Sequence, residues 1–92
     1  MAEQVVQIWA RNSPRVFAAI CVLLAHRGVR IIGVTAIAVT GSRQRIRIRF
    51  DVVGSTSPHL IRERLERIVD VYEVEPLDAP DANRPGPIAQ SL

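Results

Sequence analysis

From Gln4 to Arg11 apolar and polar residues alternate. Val6, Ile8 and Ala10 fall on one side and Val5, Gln7, Trp9 and Arg11 on the other, the period of a half-buried strand. Asn12-Ser13 reads as a turn and helix cap, and Pro14 suits a first helical position, where its missing N–H costs nothing. Val16–His26 then changes period to that of a helix, through Val16, Ile20, Leu23 and Leu24. Gly28 fits the left-handed residue just past a helix end. Phe17, Cys21 and Val22 widen the apolar surface beyond a single stripe, so this helix is expected to be covered on more than one side, most simply by self-association.

The second half repeats the plan. Ile31–Thr40 is rich in β-branched residues and ends at Thr40-Gly41-Ser42, a hairpin signal, with Gly33 marking a bulge where alternation breaks. Arg43–Val53 alternates cleanly: Ile46, Ile48, Phe50 and Val52 face inward, and Arg45, Arg47, Arg49 and Asp51 outward. After a Gly-Ser-Thr-Ser loop, a helix from Pro58 to about Ile68 buries Leu60, Ile61, Leu65 and Ile68. Its outer face pairs Arg62 with Glu66 and Glu63 with Arg67 at i,i+4. Val69–Pro76 reads as a last strand. The order is βαββαβ, which predicts an α+β, ferredoxin-like domain over residues 1–77: one four-stranded antiparallel sheet with two helices on one face. Residues 78–92 hold three prolines and little apolar content and read as a flexible tail.

Composition narrows the chemistry. A chain of 92 residues that is 48% hydrophobic makes one small domain with a modest core. Its longest apolar run, Val16 to Ala25, is ten residues, too short to span a bilayer, and no secretory signal is visible. The single cysteine, Cys21, cannot form an intrachain disulfide, so a reducing cytoplasm is the expected setting and Cys21 a small core residue. All twelve basic residues are Arg. Residues 1–50 carry eight Arg and one Glu, a net +7; residues 51–92 carry four Arg and eight Asp or Glu, a net −4. Halves interleaved in one fold offset each other, so the excess charge does not by itself imply nucleic acid.

Catalysis and metal binding find little footing. His26 and His59 are the only histidines, no ligand spacing exists for a metal, and no nucleophile–base ordering stands out. The sharpest charged feature is the row Arg45, Arg47, Arg49. It reads as a solvated strand side, as a docking face for an acidic protein, or as an RNA surface. RNA is the weaker choice, since Trp9 alone could stack a base on that face. Trp9 is taken as an interface anchor, because a large exposed ring is uncommon without a partner.

The segments Ala10-Arg11-Asn12-Ser13-Pro14, His26–Ile31 (HRGVRI) and Glu66–Val74 (ERIVDVYEV), in this order and spacing, resemble the ACT domain, a small βαββαβ regulatory module. Within it the chain is similar to the small regulatory subunit of acetolactate synthase (acetohydroxyacid synthase), in its short isozyme II form. The resemblance implies a non-catalytic protein that stabilises and activates a catalytic large subunit in branched-chain amino acid synthesis. Thiamine diphosphate would belong to that partner, and this chain would need no cofactor. It also implies a homodimer in which feedback-sensitive relatives hold valine between two domains. The ligand loop would be Asn12, Ser13, Pro14 and Arg15, with Arg30 contributing. Asn12 matches the family's loop asparagine. Arg15 stands where a glycine is expected and Arg30 where a second asparagine is expected, two changes that imply weak or no response to valine. A free-standing amino acid sensor is the alternative reading.

Overall fold

The computed structural model describes residues 3–53 and 57–77. The expected tail, residues 78–92, lies outside them. The elements run β1 (Glu3–Arg11), α1 (Pro14–His26), β2 (Val29–Ala38), β3 (Arg43–Val52), α2 (Pro58–Glu66) and β4 (Val71–Leu77). They form one antiparallel sheet in the order β2-β3-β1-β4 with the βαββαβ sequence of elements that the pattern predicts.

Local chemistry sets the helix ends. Ser13 is extended (φ −141°, ψ 132°) and its hydroxyl accepts from the Arg15 amide at 3.2 Å; Ser57 does the same for His59 at 3.1 Å. Pro14 and Pro58 follow these caps and open each helix. Gly28 turns the chain out of α1 at φ 71°, a conformation that costs an L residue with a Cβ.

Several boundaries differ from the sequence reading: β2 runs from Val29 to Ala38 rather than from Ile31 to Thr40. α2 stops at Glu66, so Ile68 lies in the following turn, where it still packs against the core. Asp70 then reverses the chain at φ 72°, a region its short polar side chain tolerates, and β4 starts at Val71. Pro76 is accommodated because β4 is an edge strand. On α2 the i,i+4 polar contact that forms joins His59 Nε2 to Glu63 Oε2 at 2.9 Å. Leu60 is exposed, contrary to its expected burial. The bulge anticipated at Gly33 does occur: the β2–β3 register shifts between Ile31 and Gly33.

The core fills one face of the sheet. Val6, Ile8 and Ala10 of β1 and Ile46, Ile48 and Phe50 of β3 meet Val16, Ile20 and Leu24 of α1 and Ile61 and Leu65 of α2. β1 and β3, the two central strands, supply most of it. β2 contributes only Val29, and Ile31, Ile32, Val34 and Ile37 along it are left exposed.

Gln44 was absent from the residues read as inward, although it shares their parity. It is buried, and its Nε2 donates to the carbonyls of Arg11 at 2.8 Å and Ser13 at 3.3 Å. This side chain ties the β1–α1 turn to the start of β3. A second tie is the Asn12 amide, which donates to the Ser42 carbonyl at 3.0 Å.

Two substitutions separate these contributions. Leu24→Ala opens a void in a close-packed core and is expected to cost about 2–5 kcal/mol, read as a lower urea midpoint with unchanged slope. Gln44→Leu removes the side-chain donor from two turn carbonyls that keep only the backbone donors Ser13 and Phe17, and is expected to cost about 0.5–1.5 kcal/mol. It should also raise amide hydrogen exchange at Asn12 and Ser13, a local response that Leu24→Ala does not single out.

Candidate functional site

The β1–α1 turn borders a hollow of about 220 Å³ lined by Asn12, Ser13, Pro14, Phe17, Ala36 and Gln44. The turn is set by the Ser13 cap on one side and by Gln44 on the other, and β2 passes beside it at Ala36. The hollow therefore offers an exposed asparagine amide, an aromatic side and a strand edge, in the open mouth of the sheet's β2 end.

The five residues expected to form a ligand loop do not gather there. Asn12, Ser13 and Pro14 line the hollow, but Arg15 borders a different groove, of about 460 Å³, with Val16, Ala19, Ile68, Val69 and Asp70. The Arg15 side chain is thus not among the residues that line the space beside Asn12. What Arg15 does contribute is its amide, already engaged by the Ser13 hydroxyl. Arg30 lies at the far end of β2, where its Nη2 donates to Asp51 Oδ2 at 2.8 Å. Arg43 to Asp51 on the neighbouring strand spans roughly 27 Å at ~3.4 Å per residue, so within one chain Arg30 and Asn12 stand at opposite ends of the sheet. Asp51, read as outward and solvated, is instead buried against this guanidinium, so the positive charge at residue 30 is compensated.

On the face away from the helices, the side chains cross the strands in rows. Thr35, Arg47, Gln7 and Glu75 are in register. Arg47 Nη2 donates to Gln7 Oε1 at 2.8 Å and Gln7 Nε2 donates to Glu75 Oε1 at 2.7 Å, which explains why a polar glutamine is buried in the middle of β1. One row over, Arg45 lies above the Trp9 ring at 5.9 Å, and Trp9 is half-buried rather than free. Arg49 is held by Glu3 at 2.6 Å; that hydrogen bond and the charge beside it raise its pKa above the ordinary arginine value. The three arginines read from the sequence as one row are therefore in three different electrostatic states. Tyr72 was missed as a member of this face. Arg43 covers its ring at 5.1 Å, and the slip in the β1–β4 register beside it hid its orientation from a simple parity count.

Nothing here resembles a catalytic constellation. Among the described residues no cluster of His, Cys, Asp and Glu could hold a metal ion. His59 is an exposed helix residue bonded to Arg62 and Glu63, and His26 closes α1. Cys21 is a half-buried free thiol on α1. No described helix is long and apolar enough to cross a membrane.

Comparison with known proteins agrees with this architecture. No curated protein matches the sequence. Among solved structures, the acetolactate synthase small subunit of Thermotoga maritima superposes with a TM-score of 0.73 at 25% identity, over 90% of this chain and 52% of that one. The chain thus spans about half of that subunit's length. The ACT domain of GTP pyrophosphokinase from Chlorobium tepidum superposes at 0.70 with 13% identity, over 82% of this chain and 96% of that one. A formyltetrahydrofolate deformylase from Pseudomonas putida superposes at 0.71 with 10% identity, over 84% of this chain and 29% of that one. These last two likenesses concern the fold alone. The sequence profile of the ACT domain matches residues 12–74, from the β1–α1 turn into β4, and the chain belongs to the ACT domain family.

Proposed function

We propose that this chain is a non-catalytic regulatory subunit of acetolactate synthase, which binds and stabilises a thiamine-diphosphate-dependent large subunit. The observation that carries this reading is the 25% identity to the Thermotoga maritima small subunit across 90% of the chain.

The working form is a homodimer joined along β2. This strand lies at the sheet edge, with Ile31, Ile32, Val34 and Ile37 exposed, and Val22 of α1 is exposed as well. An unpaired edge of this length is a template for a second strand, and its aliphatic side chains favour covering it. Geometry adds a reason. An antiparallel β2–β2 pairing, with its two-fold near Gly33 and Val34, carries Arg30 of one copy to the Ala36 end of the other. That is where Asn12 stands. The two parts of the ligand loop, far apart in one chain, meet only in such a pair.

The amino acid response of this dimer is weak. The Arg15 amide is committed to the Ser13 cap, and residue 30 brings an arginine–aspartate pair where an amide is expected. A valine carboxylate or ammonium group then competes with bonds already made.

Co-expression with a candidate large subunit should yield a complex with higher acetolactate synthase activity than the large subunit alone. Failure to co-purify or to activate would overturn the proposal, and a valine-dependent rise in melting temperature without any such complex would favour a free-standing sensor. Ile31→Lys with Val34→Lys should convert the dimer to a monomer by sedimentation velocity, since edge lysines oppose strand pairing. Millimolar valine should leave the wild-type melting temperature unchanged; calorimetric binding in the micromolar range would contradict the weak response.

A further inference from the structure

The face of the sheet away from the helices divides into two halves of different charge. At the β2 start, carboxylates match the arginines: Arg30 with Asp51 at 2.8 Å and Arg49 with Glu3 at 2.6 Å. Toward the β2–β3 hairpin the matching stops. Arg43 rests on Tyr72, Arg45 on Trp9, and Arg47 bonds the neutral amide of Gln7. Among the described residues none of these three guanidiniums has a carboxylate within ion-pair distance, and Arg43 stands opposite another arginine, Arg11, across β1 and β3. Arg11 is itself paired with Asp70 at 3.6 Å, so the charges left without an ion-pair partner on this half are those of Arg43, Arg45 and Arg47.

We propose that Arg43, Arg45 and Arg47, with Trp9 and Tyr72, form the surface that docks a carboxylate-bearing segment of the catalytic partner. This proposal rests on the subunit reading above. The three arginines occupy alternate positions of one strand and so recur at about 6.8 Å, the repeat of same-side residues in an extended chain. Acidic side chains at alternate positions of an extended segment match that repeat. A guanidinium attracted to an aromatic ring keeps N–H donors free, and these can meet a carboxylate with two parallel hydrogen bonds. Tryptophan, tyrosine and arginine together are also the composition of energetically dominant interface residues. Between the arginines and β2 lies a small hollow of about 70 Å³, lined by Thr35, Ile37, Arg45 and Arg47.

The same geometry argues against RNA. Single-stranded RNA binds such sheets by stacking bases on aromatic faces. Here a guanidinium already lies over each of the Trp9 and Tyr72 rings, at 5.9 and 5.1 Å, and a stacking base would have to compete with it.

The test uses the full chain and the purified large subunit in a titration at several salt concentrations. Arg43→Glu with Arg45→Glu should weaken the complex by roughly tenfold or more and flatten its salt dependence. Arg45→Lys, which keeps the charge and loses the planar fork, should weaken it less. Arg67→Glu, on the exposed end of α2, should have no effect. Sedimentation and circular dichroism of the free variants establish that fold and dimer persist; Arg45→Lys supplies the comparison if the double variant does not fold. Wild-type affinity for the large subunit together with an unchanged double variant overturns the docking face and leaves the subunit reading standing. No wild-type binding at all overturns both. Binding of a uridine oligonucleotide that the double variant loses overturns protein docking in favour of RNA.

Discussion

Pairing of β1 with β3 places Val6, Ile8 and Ala10 against Ile48, Ile46 and Gln44, and sends Gln7 and Trp9 to the other face beside Arg47 and Arg45. Because side chains alternate along a strand, one register divides the domain into a dry side and a charged side. A slip by one residue would expose the whole aliphatic set and bury the arginines, a change no local adjustment could offset. Both helices depend on this division, since their apolar stripes have nothing else to cover. So does the β1–α1 turn, which is fastened to β3 through Gln44.

The two edges of the sheet have different fates. β4 carries a proline, short length and charged residues, and tyrosine and glutamate point away from the core. Such an edge resists pairing. β2 is longer and aliphatic, and it leans on the helices only lightly. An incomplete core on that side is a weakness for a single chain and an opportunity for a second copy. The β1–α1 turn lies beside this edge, since Ala36 of β2 lines the same hollow as Asn12, Ser13 and Pro14.

The charged face shows why counting residues along a strand is an incomplete guide to electrostatics. Arg45, Arg47 and Arg49 are equivalent in the alternation pattern, yet one lies on an indole, one on an amide and one on a carboxylate. Each state is decided by the residue that β1 or its neighbour brings alongside. Neutralised arginines stiffen the sheet, whereas arginines held on aromatic rings remain positively charged and directed outward. The same distinction separates Arg30, whose charge Asp51 compensates, from Arg43, whose guanidinium lies over Tyr72.

Alternation in β1 and β3, the Ser-Pro caps of both helices, the glycine after α1 and the bulge at Gly33 were legible in the sequence, and with them the βαββαβ fold. These are signals carried by neighbours in the chain, where backbone sterics and local hydrogen bonds act directly. Asn12, Ser13 and Pro14 were legible as a turn for the same reason. The direction taken by Arg15, the compensation of Arg30 by Asp51, the burial of Gln7 and Gln44 and the place of Tyr72 were not. Each depends on a residue more than twenty positions away, or on a register slip that shifts which side chains share a face. Periodicity along the chain determines which way a strand faces; only strand pairing decides what each side chain meets, because those contacts are made between segments whose separation in sequence carries no distance information.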